Sequence, residues 1–303
     1  MSVLVVGTVA FDAIETPFGK TDKIVGGAAT YICLASSFFT NKINLVSVVG
    51  EDFPNDAIQM LKERTVDVSG LQIKKGEKTF FWSGKYQNDM NTRDTLDTQL
   101  NVLENFDPIV PDKFKDSEFL MLGNLMPSVQ KRVLDQMSKR PKLIVLDTMN
   151  FWMDNFMKDL KDALTEVDVL TINDEEARQL SGEYSLVKAA KVILKMGPKY
   201  LIIKKGEHGA LLFNNEEVFF APALPIEEVF DPTGAGDSFA GGFISYLAKT
   251  KNISFENMKK AVINGSVMAS FCVEKFGTQK LNEITQKDLD QRVNDFIKLV
   301  KFD

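Results

Sequence analysis

Short runs of uninterrupted apolar residues recur along this chain, and they constrain its fold more than any other feature. Leu143-Ile-Val-Leu146 is one such run, and a strand of this kind is buried on both faces, so helices must cover both sides of its sheet. Longer amphipathic segments separate the runs, which is typical of α/β proteins with a mostly parallel sheet. The predicted strands are Val3–Val6, Asn44–Val49, Phe119–Leu122, Leu143–Leu146, Val167–Leu170 and Tyr200–Ile203. The predicted helices lie near 27–39, 55–65, 128–138, 155–164, 174–181, 186–196, 238–249, 255–272 and 286–300.

Two stretches interrupt this alternation and predict a small β-sheet lid. Residues 13–25 contain a glycine turn between short extended segments. Within residues 70–92, the segments Leu71–Lys75 and Thr79–Tyr86 flank a second glycine turn, which predicts a β-hairpin. Because apolar and polar side chains alternate here, one face of the lid should be free to cover a ligand or to form a homodimer contact. We therefore expect all 303 residues to form one domain with the lid inserted in it.

Charge and residue usage exclude several classes of function. The net charge of −6 disfavours a nucleic acid or an anionic membrane as the main partner. Cys33 and Cys272 are far apart and suggest no disulfide framework, and no targeting or membrane-spanning segment is visible. These features predict a cytoplasmic protein. The single histidine, His208, lies in a predicted turn and cannot build a His-rich zinc site.

The most informative motif is Asp231-Pro-Thr-Gly-Ala-Gly-Asp237, which we call the glycine motif. Gly234 and Gly236 allow backbone conformations in which neighbouring N–H groups point into one concavity. The helix predicted to follow adds its unpaired N–H groups and the positive end of its dipole. An acid such as Asp237 suits a phosphate site if it accepts the proton of an attacking hydroxyl, although it could instead cap the helix.

The glycine motif resembles the C-terminal signature of the ribokinase or PfkB family of sugar and nucleoside kinases, and the resemblance extends over nearly the whole chain. It implies a ribokinase-like three-layer α/β/α sandwich with a mostly parallel central sheet and a small β-sheet lid. It also implies that Asp237 is the catalytic base and that Gly234, Ala235 and Gly236 form an anion hole. The sequence contains no Walker motif, no full dinucleotide-binding fingerprint and no protein-kinase signature.

Asn173-Asp-Glu-Glu176 is similar to the family's Asn-x-x-Glu motif. At positions i and i+3, Asn173 and Glu176 share one face of a helix's first turn. The resemblance implies that Asn173 contacts the nucleotide and that Glu176 organises Mg²⁺, mostly through water, which suits a cation that retains several waters. The same residues could equally be an N-cap followed by acids that the helix dipole favours.

The segment 204–209 resembles the family's nucleotide-side turn, and the helix near 255–272 carries an asparagine that the family pattern places near adenine. The implied nucleotide contacts are Lys205, Gly206, Gly209 and Asn264. The resemblance also implies a candidate K⁺ site beside the anion hole, with Asp231 and Thr233 at the matching positions.

The acceptor side departs from the family pattern. Asp12 follows the first strand where the family places a carboxylate on sugar hydroxyls, although acids are also common in such turns. Gly26 and Gly27 resemble the N-terminal Gly-Gly signature, where bare backbone lets a sugar approach closely. The family commonly continues Gly-Gly-x-x-x-Asn, but Tyr31 occupies that position. A usual sugar ligand is therefore missing or replaced by a phenol.

Two features near the predicted lid have open interpretations. Arg93 could reach an anionic substrate or pair with a neighbouring acid. The aromatic run Phe80-Phe-Trp82 could stack a base or pack the lid.

These observations predict an ATP-dependent, Mg²⁺-requiring phosphotransferase that moves the γ-phosphoryl to a primary hydroxyl of a small sugar. An adenosine-like nucleoside is the alternative acceptor. A non-catalytic ligand-sensing module on the same fold is a second alternative. The presence of Asp237 and of both glycines argues against a sensor, since a sensor has little need for a base at that point.

Overall fold

The computed structural model describes residues 1–301. Its strands are β1 (Val3–Val6), β2 (Ala10–Thr16), β3 (Gly19–Lys20), β4 (Ile24–Gly26), β5 (Ile43–Gly50), β6 (Val66–Lys74), β7 (Phe81–Tyr86), β8 (Arg93–Gln99), β9 (Phe119–Leu122), β10 (Leu143–Asp147), β11 (Val169–Asn173), β12 (Tyr200–Lys204), β13 (Ala210–Phe213) and β14 (Val218–Ala221). Its α-helices are α1 (Ala28–Ser36), α2 (Asn55–Glu63), α3 (Pro127–Gln136), α4 (Asn150–Asn155), α5 (Met157–Leu164), α6 (Asp174–Ser181), α7 (Leu186–Ile193), α8 (Ala235–Thr250), α9 (Phe255–Cys272), α10 (Gln279–Glu283) and α11 (Gln286–Val300). Within the described range, none of these helices has both the length and the apolar character needed to cross a membrane.

The main sheet has the strand order β14-β13-β12-β11-β10-β9-β1-β5-β6. The strands from β6 to β12 in this order run parallel, and β13 and β14 add an antiparallel edge. Side chains of β1 alternate between two cores: Val3 and Val5 join the first, and Leu4 and Val6 join the second. Helices α1, α2, α8 and α9 cover the first face, and α3 to α7 cover the second. The predicted three-layer α/β/α arrangement is confirmed.

Two differences from the predicted strands concern the half of the main sheet that carries β11. Strand β11 covers 169–173 instead of 167–170. The side chain of Asp168, which precedes the strand, accepts hydrogen bonds from Arg140 and from the Ile144 amide. This shift makes Asn173 the last residue of the strand. The edge hairpin of β13 and β14, which folds around Asn214, was not predicted.

The second sheet, which we call the lid sheet, has the order β3-β2-β7-β8, with β4 paired to β2. Residues 13–25 lie in it as predicted, but Leu71–Lys75 and Thr79–Tyr86 do not form a hairpin. Strand β6 instead pairs in parallel with β5 in the main sheet, while β7 pairs with β2 and β8. Because β6 is an edge strand, part of its side chains are exposed, and its sequence therefore resembles that of a lid strand. The lid sheet also extends beyond 92, because β8 reaches Gln99.

The carboxyl ends of neighbouring parallel strands place polar residues at one edge of the main sheet. Asp147 ends β10, Asn173 ends β11 and Lys204 ends β12. In open α/β sheets, ligands bind outside the carboxyl ends of the strands. The candidate site therefore lies between this edge, the start of α8 and the lid sheet.

Candidate active site

Helix α8 begins inside the glycine motif, and its first turn presents unpaired amides. Gly234 is the N-cap residue and has a φ of 77°, a left-handed conformation that favours glycine. Among residues 1–301, the amides of Gly234, Gly236 and Asp237 donate to no acceptor, whereas the amide of Ala235 donates to the Pro232 carbonyl oxygen at 3.1 Å. The amide of Ala235, which the resemblance assigned to the anion hole, thus already has an acceptor, whereas the amide of Asp237 is unpaired.

Tyr31 packs against the glycine motif. Its side chain is only 1% exposed, and a Cβ atom on Gly234 would lie within 2.5 Å of three atoms of its ring. Its hydroxyl has no hydrogen-bond partner in the described structure. Burial, together with the nearby Asp12 and Asp231, raises the pKa of this phenol well above its usual value. The ring therefore fills the space that Gly234 leaves free, and the acceptor contact at Tyr31 stays a prediction.

Asp231 fixes the start of the glycine motif. It is fully buried, and its two carboxylate oxygens accept the amides of Thr233 and Gly277, each at 2.8 Å. The Thr233 hydroxyl donates to the Tyr86 hydroxyl of β7 at 3.2 Å, which links the lid sheet to the motif. Asp231 and Thr233, the two residues of the predicted K⁺ site, therefore lie together and are held by hydrogen bonds within the protein.

Asp237 lies in the first turn of α8, close to other charged groups. Burial and the negative charge of Asp147 raise its pKa to about 7, against the lowering effect of Lys204 and Arg93. A carboxylate with such a pKa can accept a proton at neutral pH and release it afterwards. Perturbed carboxyl groups of this kind concentrate at functional sites.

Asn173 and Glu176 form a complete capping box at the start of α6. The Asn173 side chain accepts the Glu176 amide at 2.7 Å, and Glu176 Oε2 accepts the Asn173 amide at 2.8 Å. The capping interpretation is therefore confirmed. It does not exclude the interpretation that Glu176 organises Mg²⁺, because Glu176 Oε1 has no hydrogen bond to residues 1–301. Burial and Asp147 raise the pKa of Glu176 to about 7.

The donor set near Glu176 suits a cation held mainly by water and phosphate oxygens. Within residues 1–301 no group of three or more His, Cys, Asp and Glu side chains is arranged to hold a metal ion directly. Mg²⁺ commonly keeps several waters and binds through one or two carboxylates plus substrate phosphates. Asp147 acts on the pKa of both Glu176 and Asp237, so these three carboxyl groups lie near one another.

Asp12 lies in β2 and faces the start of α1. It is 4% exposed, and its Oδ2 accepts the Gly27 amide at 3.3 Å. A Cβ atom on Gly26 would overlap that oxygen, so the first glycine of the pair makes room for the carboxylate. Burial raises the pKa of Asp12 to about 7, with the charges of Asp231 and Asp237 also contributing. The predicted acceptor residues Asp12, Gly26 and Gly27 thus lie together.

The predicted nucleotide-side turn connects β12 to β13. The Lys205 amide donates to the Gly209 carbonyl oxygen at 2.8 Å, and Gly206 and Gly209 both have positive φ angles. Asn91, from the loop between β7 and β8, reaches across to Gly206, where a Cβ atom would overlap its side-chain oxygen. The lid sheet therefore contacts the turn. A cavity of about 300 Å³ opens beside it, lined by Lys205, Glu207, His208, Phe220, Pro222 and Ala223.

Asn264 lies on α9 and does not line this cavity. Its side chain is mostly buried, and its amide nitrogen donates to the Lys260 carbonyl oxygen at 2.8 Å. The structure therefore places Lys205, Gly206 and Gly209 in one turn and Asn264 on a different element, α9.

Trp82 and Arg93 lie on the inner face of the lid sheet. Strand register pairs Asp12 with Trp82 and Tyr86 with Arg93, and residues two or four apart along a strand share a face. Asp12 and Tyr86 are buried, so this face points into the site. A Cβ atom on Gly84 would overlap the half-buried Trp82 indole, which therefore lies along its own strand.

The inner face of the lid sheet carries the positive charge of Arg93, for which the sequence offered two interpretations. The Arg93 guanidinium lies 5.3 Å from the centre of the Trp82 ring, and Trp82 Nε1 donates to Thr95 Oγ1 at 3.3 Å. The charge of Arg93 acts on Asp12, Glu176 and Asp237, lowering the pKa of each against larger raising effects. The threonines of β8 were the only sequence signal for this strand.

Lys204 and Asp147 form an ion pair that the sequence interpretation missed. Lys204 Nζ lies 3.1 Å from Asp147 Oδ2, and the two side chains are 18% and 8% exposed. Burial alone would lower the pKa of Lys204, but Asp147, Glu176 and Asp237 raise it above its usual value. In the sequence, the apolar run of β12 predicts a strand, but it does not indicate that the lysine at the end of this strand forms an ion pair.

We expect activity and stability to respond to pH in opposite directions. If deprotonated Asp237 is the base, kcat/KM should rise between pH 6 and pH 8 and level off above its pKa of about 7. The raised pKa values of Asp12, Glu176 and Asp237 mean that the folded protein binds protons more tightly than the unfolded chain. This stabilising contribution is complete below the unfolded values near 4 and is lost as pH rises through about 7.

The thermal midpoint of the ligand-free protein, measured by calorimetry, should therefore fall from pH 6 to pH 8 while the rate rises. Asp237→Asn should weaken this fall. A rate that stays level across this range would contradict a base with a pKa near 7.

Comparison with known proteins agrees with this geometry. The family model described as pfkB family carbohydrate kinase matches residues 2–285. A cytidine kinase from Thermococcus kodakarensis is 29% identical over 251 residues, covering 81% of this chain and 88% of that protein. A ribokinase from Lactococcus lactis is 25% identical over 309 residues, covering 96% and 98%. A putative ribokinase II from E. coli, solved in complex with ATP and Mg²⁺, shares the fold with a TM-score of 0.80 at 18% identity, covering 97% of this chain and 99% of that chain.

Proposed function

The chain belongs to the pfkB family of carbohydrate kinases, and from this membership we propose how its own residues carry out ATP-dependent phosphoryl transfer to a hydroxyl group. The observation that carries the proposal is the position of Asp237. Its carboxyl, with a pKa of about 7, lies in the turn whose Gly236 and Asp237 amides are unpaired. A base and an anion-binding site are thereby adjacent at the positive end of α8.

The proposed step needs a proton acceptor and a site for the transferred charge. Asp12 holds the acceptor through its hydroxyls, and Asp237 accepts the proton of the attacking hydroxyl as the oxygen approaches the γ-phosphorus. The amides of Gly234, Gly236 and Asp237 donate to the phosphoryl oxygens, on which negative charge is spread during transfer. The bond from the γ-phosphorus to the bridging oxygen breaks, and ADP leaves.

Mg²⁺, when bound with ATP, would neutralise phosphate charge and fix the orientation of the phosphates. Glu176 would hold it through water. The capping box supports this role because it fixes Glu176 by one oxygen and leaves the other without a protein partner. Asn173, at the end of β11, is fixed by the same box beside the phosphates.

On the nucleotide side, Lys205, Gly206 and Gly209 would contact ATP at the cavity beside their turn. Asn264, on α9, is proposed to lie near the adenine. The loop containing Asn91 already touches this turn, so the lid sheet would cover bound phosphates. Such a cover excludes water and directs transfer to the acceptor.

The acceptor is proposed to be the primary hydroxyl of a small sugar. A nucleoside is the second candidate, and two observations favour it. The indole of Trp82 offers a flat surface on the same face as Asp12, and aromatic side chains stack nucleobases. In addition, relatives are named cytidine kinase and nucleoside kinase. A nucleoside would place its sugar at Asp12 and its base on Trp82.

A panel of free pentoses, hexoses and nucleosides, assayed for acceptor-dependent ADP formation, tests the proposal directly. For a nucleoside acceptor, Trp82→Leu should raise the acceptor KM by roughly 5- to 100-fold, because stacking contributes about 1–3 kcal/mol per base. The KM for ATP should stay unchanged. For a free sugar, the change in KM should be much smaller.

Phe81→Leu is the matched control for Trp82, since Phe81 is the neighbouring aromatic residue and packs toward the core on the opposite face of the lid sheet. It should leave the acceptor KM unchanged. Absence of turnover with every member of the panel would contradict the proposed function and favour a ligand-sensing role.

A further inference from the structure

Lys204, at the end of β12, is a largely buried cation that lies close to the start of α8. A Cβ atom on Gly236 would lie 3.0 Å from Lys204 Nζ, so the ammonium group approaches the helix where that residue has no side chain. The N-terminus of a helix carries positive partial charge and repels cations. A lysine at this position therefore needs compensating negative charge, and Asp147 supplies part of it at 3.1 Å.

Building on the proposed kinase reaction, we propose that Lys204 is a catalytic residue whose ammonium group binds the γ-phosphoryl during its transfer. The positive end of α8, the unpaired amide of Gly236 and Lys204 Nζ converge on one small region. An anion placed there would receive hydrogen bonds from both amide and ammonium donors. Such charge-assisted hydrogen bonds are among the strongest in proteins.

The bond changes are those of the transfer itself. The acceptor oxygen forms a bond to the γ-phosphorus and its proton passes to Asp237, while the bond to the bridging oxygen breaks and ADP leaves. Lys204 stays protonated throughout and shares the charge of the moving phosphoryl. In the ligand-free structure Asp147 holds the ammonium group in place. Because transfer moves the γ-phosphoryl and leaves the rest of the nucleotide behind, Lys204 should distinguish ATP from ADP.

The first test is the affinity for a non-hydrolysable ATP analogue and for ADP, measured by calorimetry with Mg²⁺. Lys204→Met should weaken binding of the analogue by roughly 10- to 100-fold, the size expected for losing a hydrogen bond to a charged group. Binding of ADP should change by less than about threefold, since ADP lacks the γ-phosphoryl. Equal losses for both nucleotides would overturn the proposal, because Lys204 would then act on the nucleotide site as a whole.

The second test is the rate. Lys204→Met should lower kcat by about 10²–10³-fold, comparable to removing one preorganised donor from a transition state. Lys204→Arg should retain part of the rate, because it keeps the charge. Lys199→Met is the matched control. Lys199 pairs with Asp168 at 3.1 Å just before β12, so it forms a similar pair at the opposite end of the strand. It should leave kcat unchanged.

Removing Lys204 leaves Asp147 buried without its partner, which could prevent folding. The double variant K204M/D147N removes both charges and keeps the test valid. If Lys204 only neutralised Asp147, the double variant would regain both turnover and analogue affinity, and the proposal would fail. If Lys204 binds the γ-phosphoryl, the double variant should regain stability but keep the selective loss of analogue affinity. Asp147→Asn alone should not show that selectivity. The binding assay needs no acceptor, so it can fail independently of the kinase assignment.

Discussion

Asp237→Asn should lower kcat by about 10²–10⁴-fold, the range typical of a missing general base. Asparagine preserves the shape of the side chain but cannot accept the proton of the acceptor hydroxyl. The amides of the first turn of α8 remain in place, so the affinity for ATP should change by no more than about threefold. Steady-state kinetics with the acceptor identified in the panel, together with calorimetric titration of ATP, measures the two effects separately.

The matched control is Asp56→Asn. Asp56 lies in the first turn of α2, as Asp237 does in α8, but it is exposed and lies outside the site. It should leave kcat unchanged, which separates loss of a base from loss of charge at a helix N-terminus. Unchanged turnover in Asp237→Asn would remove Asp237 from the mechanism. Loss of ATP affinity equal to the loss of rate would indicate a binding role.

The parts of the site formed by consecutive residues could be predicted from sequence because their geometry is local. The glycine motif places Gly234, Gly236 and Asp237 within one helical turn, and the structure begins α8 there. The capping box of Asn173 and Glu176 is likewise set by a spacing of three residues. The layers could be predicted for the same reason, since a continuous apolar run such as Leu143–Leu146 indicates a strand that is buried on both faces.

The missed parts depend on pairing between distant segments. Arg93 and Trp82 face the site only because β8 pairs with β7 in one register and β7 pairs with β2 in another. Lys204 meets Asp147 only because β12 and β10 flank the same strand. No local pattern carries that information. The packing of Tyr31 against Gly234 is of the same kind, since the two residues are far apart in sequence.

The packing of Gly234 against Tyr31 leads to the other large effect. Gly234→Ala should reduce the free energy of unfolding by about 2–5 kcal/mol. Roughly 1–2 kcal/mol comes from the left-handed backbone at a φ of 77°, and about 1–3 kcal/mol comes from overlap with the Tyr31 ring. The ring is 1% exposed and therefore closely surrounded by the protein. The first turn of α8 must therefore shift, and kcat/KM should fall by at least about 100-fold because the amides leave their positions.

Gly76→Ala separates the two causes. Gly76 has a φ of 75°, nearly that of Gly234, but a Cβ atom there would meet nothing within 4 Å. This control should lose only about 1–2 kcal/mol and keep its activity. Combining Gly234→Ala with Tyr31→Leu should cost less than the sum of the two single changes, because the smaller side chain relieves the overlap. Chemical denaturation of the four variants measures this coupling. Equal destabilisation by Gly234→Ala and Gly76→Ala would show that backbone strain alone sets the cost, and that Tyr31 does not hold the anion-binding turn in place.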